Sequence, residues 1–201
     1  LIAMVRLPVS KEIKKPILES YWGREILPQT TFYEPQLRNI LGNIPQEALL
    51  YIIPKAPKSD EMIKMTFPDN IKLVESPTDE EALFLLTNIE RKARGISELL
   101  YDPSIVPVAR LHSFDMFRRS YFSHVNLDGK SSFDRMSSGG VEYSAAGENL
   151  AYAPTVEIAH KGLMNSPGHK ENILRREFGR IGIGVVDGGI YGKMYTQNFA
   201  D

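Results

Sequence analysis

Four histidines, His112, His124, His160 and His169, and the carboxylate Glu148 are the side chains of this chain best suited to metal or proton chemistry. A neutral imidazole can ligate zinc, and it gains or loses a proton near neutral pH. No histidine pair falls in an H-x-x-x-H or H-E-x-x-H pattern, the spacing that puts two ligands on one helix face. Any site must therefore be assembled by folding. His124 follows Tyr121-Phe122-Ser123 at the expected end of a helix, and His169 follows Ser166-Pro167-Gly168 before a helix-like apolar run. Side chains at element ends can converge on one cavity. His112 lies within a helical pattern and His160 one turn before Met164. A packed or exposed histidine is the ordinary reading there.

Two chemistries are open at such a site. Ser166 or Ser123 could serve as a nucleophile beside His124 or His169, with Glu148 orienting the imidazole. Alternatively, a histidine-held metal could activate water with Glu148 as base. The catalytic candidates are thus Glu148, Ser166 and His169. No G-x-S-x-G elbow is present. Cysteine is absent, which excludes disulfides, thiolate catalysis and cysteine-based metal sites. Read locally, Gly147-Glu148-Asn149-Leu150 is a plain helix start with a carboxylate near the positive end of the dipole.

The elements that must position these residues become regular only after Ser76. Residues 1–76 carry eight prolines, at 8, 16, 28, 35, 45, 54, 57 and 68. They read as a small helical region or linker, with a helix from Glu34-Pro35 to Gly42 and Trp22 as a packing anchor. Residues 77–201 read as a separate domain. Ser76-Pro77-Thr78-Asp79-Glu80 is a helix start, with Leu83, Leu86, Ile89, Glu90 and Ala93 at helical spacing and Gly95 as the stop. Asp102-Pro103 opens a second helix. A polar loop and a short helix follow in "SHVNLDGKSSFDRM", and "VEIAHKGLM" reads as another helix. "RIGIGVVDGGIYGKMYTQNF" alternates in period two around Asp187-Gly188-Gly189, the pattern of a β-hairpin. Helices followed by an antiparallel hairpin predict an α+β domain with helices covering a sheet.

Composition is that of an ordinary globular protein: 201 residues, 42% hydrophobic and 24% charged. The net charge is −1, with +1 on residues 1–76 and −2 on residues 77–201. Neither part has the basic footprint of a nucleic-acid binder, so none is expected as partner. No run of 18 apolar residues exists to form a membrane span. The apolar opening "LIAMV" reads either as the tail of a removed membrane helix or as an ordinary strand start.

Six segments in order, "ARLHSFDM" (109–116), "YFSH" (121–124), "GENLA" (147–151), "NSPGHKENIL" (165–174), "IGIGV" (181–185) and "YTQNF" (195–199), resemble the bacterial branch of the CAP superfamily, the SCP-like extracellular domain. The resemblance spans about residues 77–201. It implies a three-layer α-β-α sandwich with a central antiparallel sheet and a surface cavity lined by two histidines and two acidic residues. Matched by motif, the histidines are His124 and His169, the first acid is Glu148, and Asn149 and Ser166 also line the cavity. The implied cofactor is zinc or another divalent cation, weakly bound, with His124 and His169 as ligands. Where the family often carries Trp-x-x-Glu, this chain has Leu163-Met164-Asn165-Ser166, so the second acid is missing.

The resemblance further implies an extracytoplasmic, non-enzymatic binding module for a small ligand, lipid or protein. A metal- or serine-dependent peptidase using the same cavity is the alternative. Upstream, "RLPVSKEIKKPILESYWG" loosely resembles the segment after the membrane domain of colicin V production proteins. That predicts a membrane-anchored parent.

Overall fold

The structure is a computed structural model that describes residues 62–201. The expectations for the upstream region, including the helix ending at Gly42, the role of Trp22 and the colicin V-like segment, lie outside the described residues.

Two hydrophobic periods account for the main elements. Period two yields β6 (Arg180–Asp187) and β7 (Lys193–Ala200), joined by a short 3-10 turn and paired antiparallel over their whole length. β5 (Ala146–Ala153) continues the sheet on the other side of β7, also antiparallel. On the outer edge of β6, β2 (Val74–Glu75) pairs antiparallel and β3 (Leu100–Tyr101) parallel. The result is a five-stranded sheet, mostly antiparallel. Farther out, β1 (Ile63–Lys64) pairs with β4 (Tyr121–Phe122). Ordered structure thus extends upstream of Pro77: Met65 N–H donates to the Ser120 carbonyl, and Ser76 N–H to that of Val185.

Helical period supplies the two outer layers. α1 (Pro77–Lys92), α4 (Val156–Asn165) and α5 (Pro167–Leu174) cover one face. Leu83, Ala159, Leu163 and Ile173 pack there against Ile181, Ile183, Val185, Tyr195 and Phe199. α2 (Val106–Arg118) covers the other face, with α3 (Ser132–Ser138) beside it. Alternation in "IGIGV" explains this division. The isoleucines point to the first layer, and the glycines let α2 approach the second. A Cβ at Gly184 would lie 2.1 Å from the Arg110 backbone nitrogen, and one at Gly182 would lie 2.5 Å from Ile105 Cβ. This is the expected α-β-α sandwich.

Three local expectations are corrected. Gly147–Leu150 is not a helix start: it lies in β5, where eight residues pair with β7. Pairing along a whole strand outweighs a local propensity for helix. Ser76 precedes α1, but its hydroxyl donates to the Asp79 carboxylate rather than accepting a helix N–H. The inward face of α1 carries Glu80, Leu83, Thr87, Asn88 and Arg91, while Ile89 is 61% exposed. That helix buries polar groups because each has a fixed partner. The Glu80 carboxylate accepts from Val185 N–H on the sheet edge and from Arg110. Asn88 exchanges two hydrogen bonds with the Leu99 backbone.

Candidate functional site

His124 leaves the chain two residues after β4. Its position is fixed from both ends. Arg135 Nη1, from α3, donates to the His124 carbonyl at 2.9 Å. His124 Nδ1 donates to Glu148 Oε1 at 2.9 Å. α3 is itself well anchored, because Ser131 and Asp134 form a reciprocal capping box at its start.

Glu148 sits on β5, with its side chain on the α2 side of the sheet. It is 2% exposed, and its second oxygen accepts from Arg135 Nη2 at 2.5 Å. Burial pushes the carboxyl up, but the His124 hydrogen bond and the charges of His112, Arg135 and His124 outweigh it. The net shift is downward, so Glu148 is an ionised carboxylate at neutral pH.

His169 comes from the opposite layer. Ser166 is both the end of α4 and the N-cap of α5, and Pro167 occupies the first helical position. The Ser-Pro-Gly segment is therefore the first turn of α5 rather than a loop before it. His169 lies in that turn, 8% exposed. Burial, and secondarily the His124 charge, lowers its pKa to about 4, so its imidazole is neutral. The His124 and His169 rings have centroids 6.5 Å apart and are tilted by 56°.

Asn149 has a different position from its neighbour. Strand alternation turns it to the α4/α5 side, where it is fully buried. Its amide donates to the His169 carbonyl at 3.0 Å and to Gln197 Oε1 at 3.1 Å. Asn172 donates to Asn149 Oδ1 and to the Glu148 carbonyl. Gln197 in turn donates to Thr87 on α1. Adjacent residues of β5 thus serve the two histidines from opposite faces. Glu148 orients the ring of His124, and Asn149 holds the backbone of His169.

The structure brings His124, Glu148 and His169 together and leaves the serines out. Among the described residues, Ser166 Oγ makes no hydrogen bond to either histidine. Ser123 is buried, its hydroxyl accepts from Val125 N–H, and its carbonyl accepts from His112 Nε2. His160 lies on α4, 3.7 Å from Glu90 on α1. No group of three or more His, Cys, Asp or Glu among the described residues is placed to hold a metal ion. Two surface depressions lie elsewhere. One is lined by Tyr143, Arg180 and Asp201 among others, the other by residues of 68–76 and the β6–β7 turn.

Sequence reading missed Arg135 and Asn172, whereas His112, read as a packed or exposed histidine within a helix, is buried on α2. Asn172 lay within a quoted motif, four residues past the expected Ser-Pro-Gly turn. Arg135 gave no local signal, because a lone arginine on a polar helix reads as a solvated charge.

This fold, with a histidine pair and a carboxylate at the edge of its sheet, defines an SCP-like α-β-α domain. Residues 84–199 match the model of the cysteine-rich secretory protein family, CAP, and the chain belongs to that family. It is 38% identical over 148 residues to the protein YkwD of Bacillus subtilis (strain 168), covering 72% of this chain and 54% of that one. It is also 38% identical over 123 residues to the B. subtilis membrane protein YlbC, covering 61% of this chain and 34% of that one. The chain therefore spans about half the length of one relative and a third of the other. Among solved structures it resembles an extracellular SCP-domain protein of Bacillus anthracis. The TM-score is 0.57 at 35% identity, over 69% of this chain and 45% of that one. An outer surface protein of Borrelia burgdorferi shares the fold, with a TM-score of 0.61 at 18% identity over 65% of this chain and 97% of that one. Among the described residues, no helix is long and apolar enough to cross a membrane.

Proposed function

We propose that the domain is an extracytoplasmic binding module that holds a divalent cation, zinc in the first instance, between His124 and His169. The observation that carries this reading is the Glu148–His124 bond. With Nδ1 committed to the carboxylate, His124 presents Nε2 as its free ligand atom, the arrangement that orients metal-binding histidines. His169 is neutral and 6.5 Å away between ring centres. Tetrahedral zinc with Zn–N bonds of about 2.0–2.1 Å puts two imidazole centres roughly 5 Å apart, so the two rings would have to close by about 1 Å to share an ion. A bound ion would act as a Lewis acid toward whatever fills its open positions.

Glu148 is the orienting group in this reading, with one oxygen bonded to His124 and the other to Arg135. Two protein ligands hold an ion weakly, and protonation of the imidazoles releases it. Extracytoplasmic placement draws on the names of the relatives, one an extracellular protein and one a membrane protein. A small ligand or an envelope component fits such a site as partner.

Titration of the chain with Zn²⁺ or Co²⁺ by calorimetry tests the reading. The wild type should show one weak, saturable site, and the His124→Ala, His169→Ala double variant none. Equal binding by the two would refute it.

A further inference from the structure

Three residues near Glu148 carry buried polar atoms without a protein partner. They are Asn198, through both Nδ2 and Oδ1, His112 through Nδ1, and Arg135 through Nε. Asn198 is fully buried on β7 and stands opposite Glu148 in the β5–β7 ladder. Opposite residues of a ladder share a face, so both side chains leave the sheet on the α2 side. Thr196, two residues from Asn198, bonds Ser113 of α2 across that same face. His112 is the neighbour of Ser113, is 1% exposed, and feels the charges of Glu148 and Arg135.

The protonation of His112 follows from its partner. Nε2 lies 3.0 Å from the Ser123 carbonyl oxygen, which can only accept. Nε2 therefore carries the hydrogen, and Nδ1 is a bare acceptor. Buried polar groups are hydrogen-bonded as a rule, and here supply and demand match. Asn198 Nδ2 and Arg135 Nε have hydrogens to give. His112 Nδ1 and Asn198 Oδ1 have lone pairs to fill. Each Glu148 oxygen keeps a further lone pair beyond its bond to His124 or Arg135. No direct bond joins Asn198 to His112 or to Glu148. The ligand that donates and accepts at once in such a polar enclosure is water.

We propose that the space between Asn198, His112 and Glu148 binds internal water, which links the Asn198 amide to His112 Nδ1 and to the inner side of the Glu148 carboxylate. The carboxylate that orients His124 is then gripped from outside by His124 and Arg135, and from inside by water anchored on Asn198. Asn198 is a positioning residue for the site. This holds whether or not a metal binds at His124 and His169.

The test uses the whole 201-residue chain, free of metal. In the wild type, NMR should show the Asn198 side-chain amide exchanging magnetisation with long-lived water and His112 as the Nε2–H tautomer. A high-resolution crystal structure should place water within hydrogen-bonding distance of Asn198. Asn198→Leu, similar in volume, should fold, abolish the water signal and shift the His124 Nδ1–H resonance. A dry enclosure, or a direct bond from Asn198 to His112 or Glu148 in the wild type, overturns the water site. An unmoved His124 resonance in the leucine variant overturns the positioning role. Should the variant fail to fold, the wild-type measurements decide alone.

Discussion

Arg135 Nη2 lies 2.5 Å from Glu148 Oε2, and the two side chains are 10% and 2% exposed. A buried carboxylate is thus neutralised by a helix that itself carries no histidine. Removing one partner of a buried ion pair leaves an uncompensated charge and typically costs about 3–5 kcal/mol. Arg135→Met should lose that much in urea unfolding, and Glu148→Leu a similar amount by stranding the guanidinium. The double variant should lose far less than the sum. Strict additivity would show that the two residues do not act as a pair.

Asn149→Ala removes the donor to the His169 carbonyl and leaves Gln197 and Asn172 short of a partner. Each buried group left unmade costs about 1–3 kcal/mol. Thermal unfolding should record the loss. Under the metal-binding reading, Zn²⁺ affinity should fall as well, by about 10–100-fold. An Asn149→Ala variant with wild-type stability would mean that α5 needs no tether from β5.

Much of this architecture is legible in the chain because it rests on periodicity. The alternation of "IGIGV" and "KMYTQNF" yields β6 and β7, and it also says which face takes a helix. Histidine positions at element ends point toward His124 and His169. Residues committed to long-range partners are different. Glu148 sits in a segment that reads locally as a helix start, and only pairing with β7 makes it a strand. The buried face of α1 contains Glu80, Thr87, Asn88 and Arg91, whose partners lie 11 to 110 residues away except for local backbone contacts. No hydrophobic pattern announces a helix face whose burial is paid for by hydrogen bonds. Arg135 was invisible for the same reason, since its importance lies in Glu148.

His112 makes a pH prediction. Burial, the largest effect, lowers its folded pKa from 6.5 to about 4. Between those values the unfolded chain binds a proton that the folded chain refuses. Stability therefore falls as pH drops from about 6.5 toward 4, by ~3 kcal/mol for the full interval. Urea unfolding of wild type and His112→Gln at a series of pH values should show it. The variant should start lower but have the shallower slope across that window. Equal slopes would mean that His112 takes up its proton alike in the folded and unfolded chain.

Arg91 should matter to His169 without approaching the site. It is 1% exposed, and its guanidinium donates to four carbonyls: Ser97 through Nε, Ile173 and Arg175 through Nη1, and Phe178 through Nη2. Three of these belong to the end of α5 and the turn into β6, where helix carbonyls lack partners of their own. A cation there also meets the negative end of the helix dipole. Lysine keeps the charge but has no planar fork and cannot reach four acceptors in fixed directions. Arg91→Lys should therefore cost stability nearly as Arg91→Met does, about 3 kcal/mol or more for a buried network broken at its centre. Since α5 begins with the turn that carries His169, its release should be local before it is global. Hydrogen exchange should show amides of α5 losing protection at temperatures where β6 and β7 remain protected. Uniform loss of protection across the domain would instead assign Arg91 to global stability and sever its link to His169.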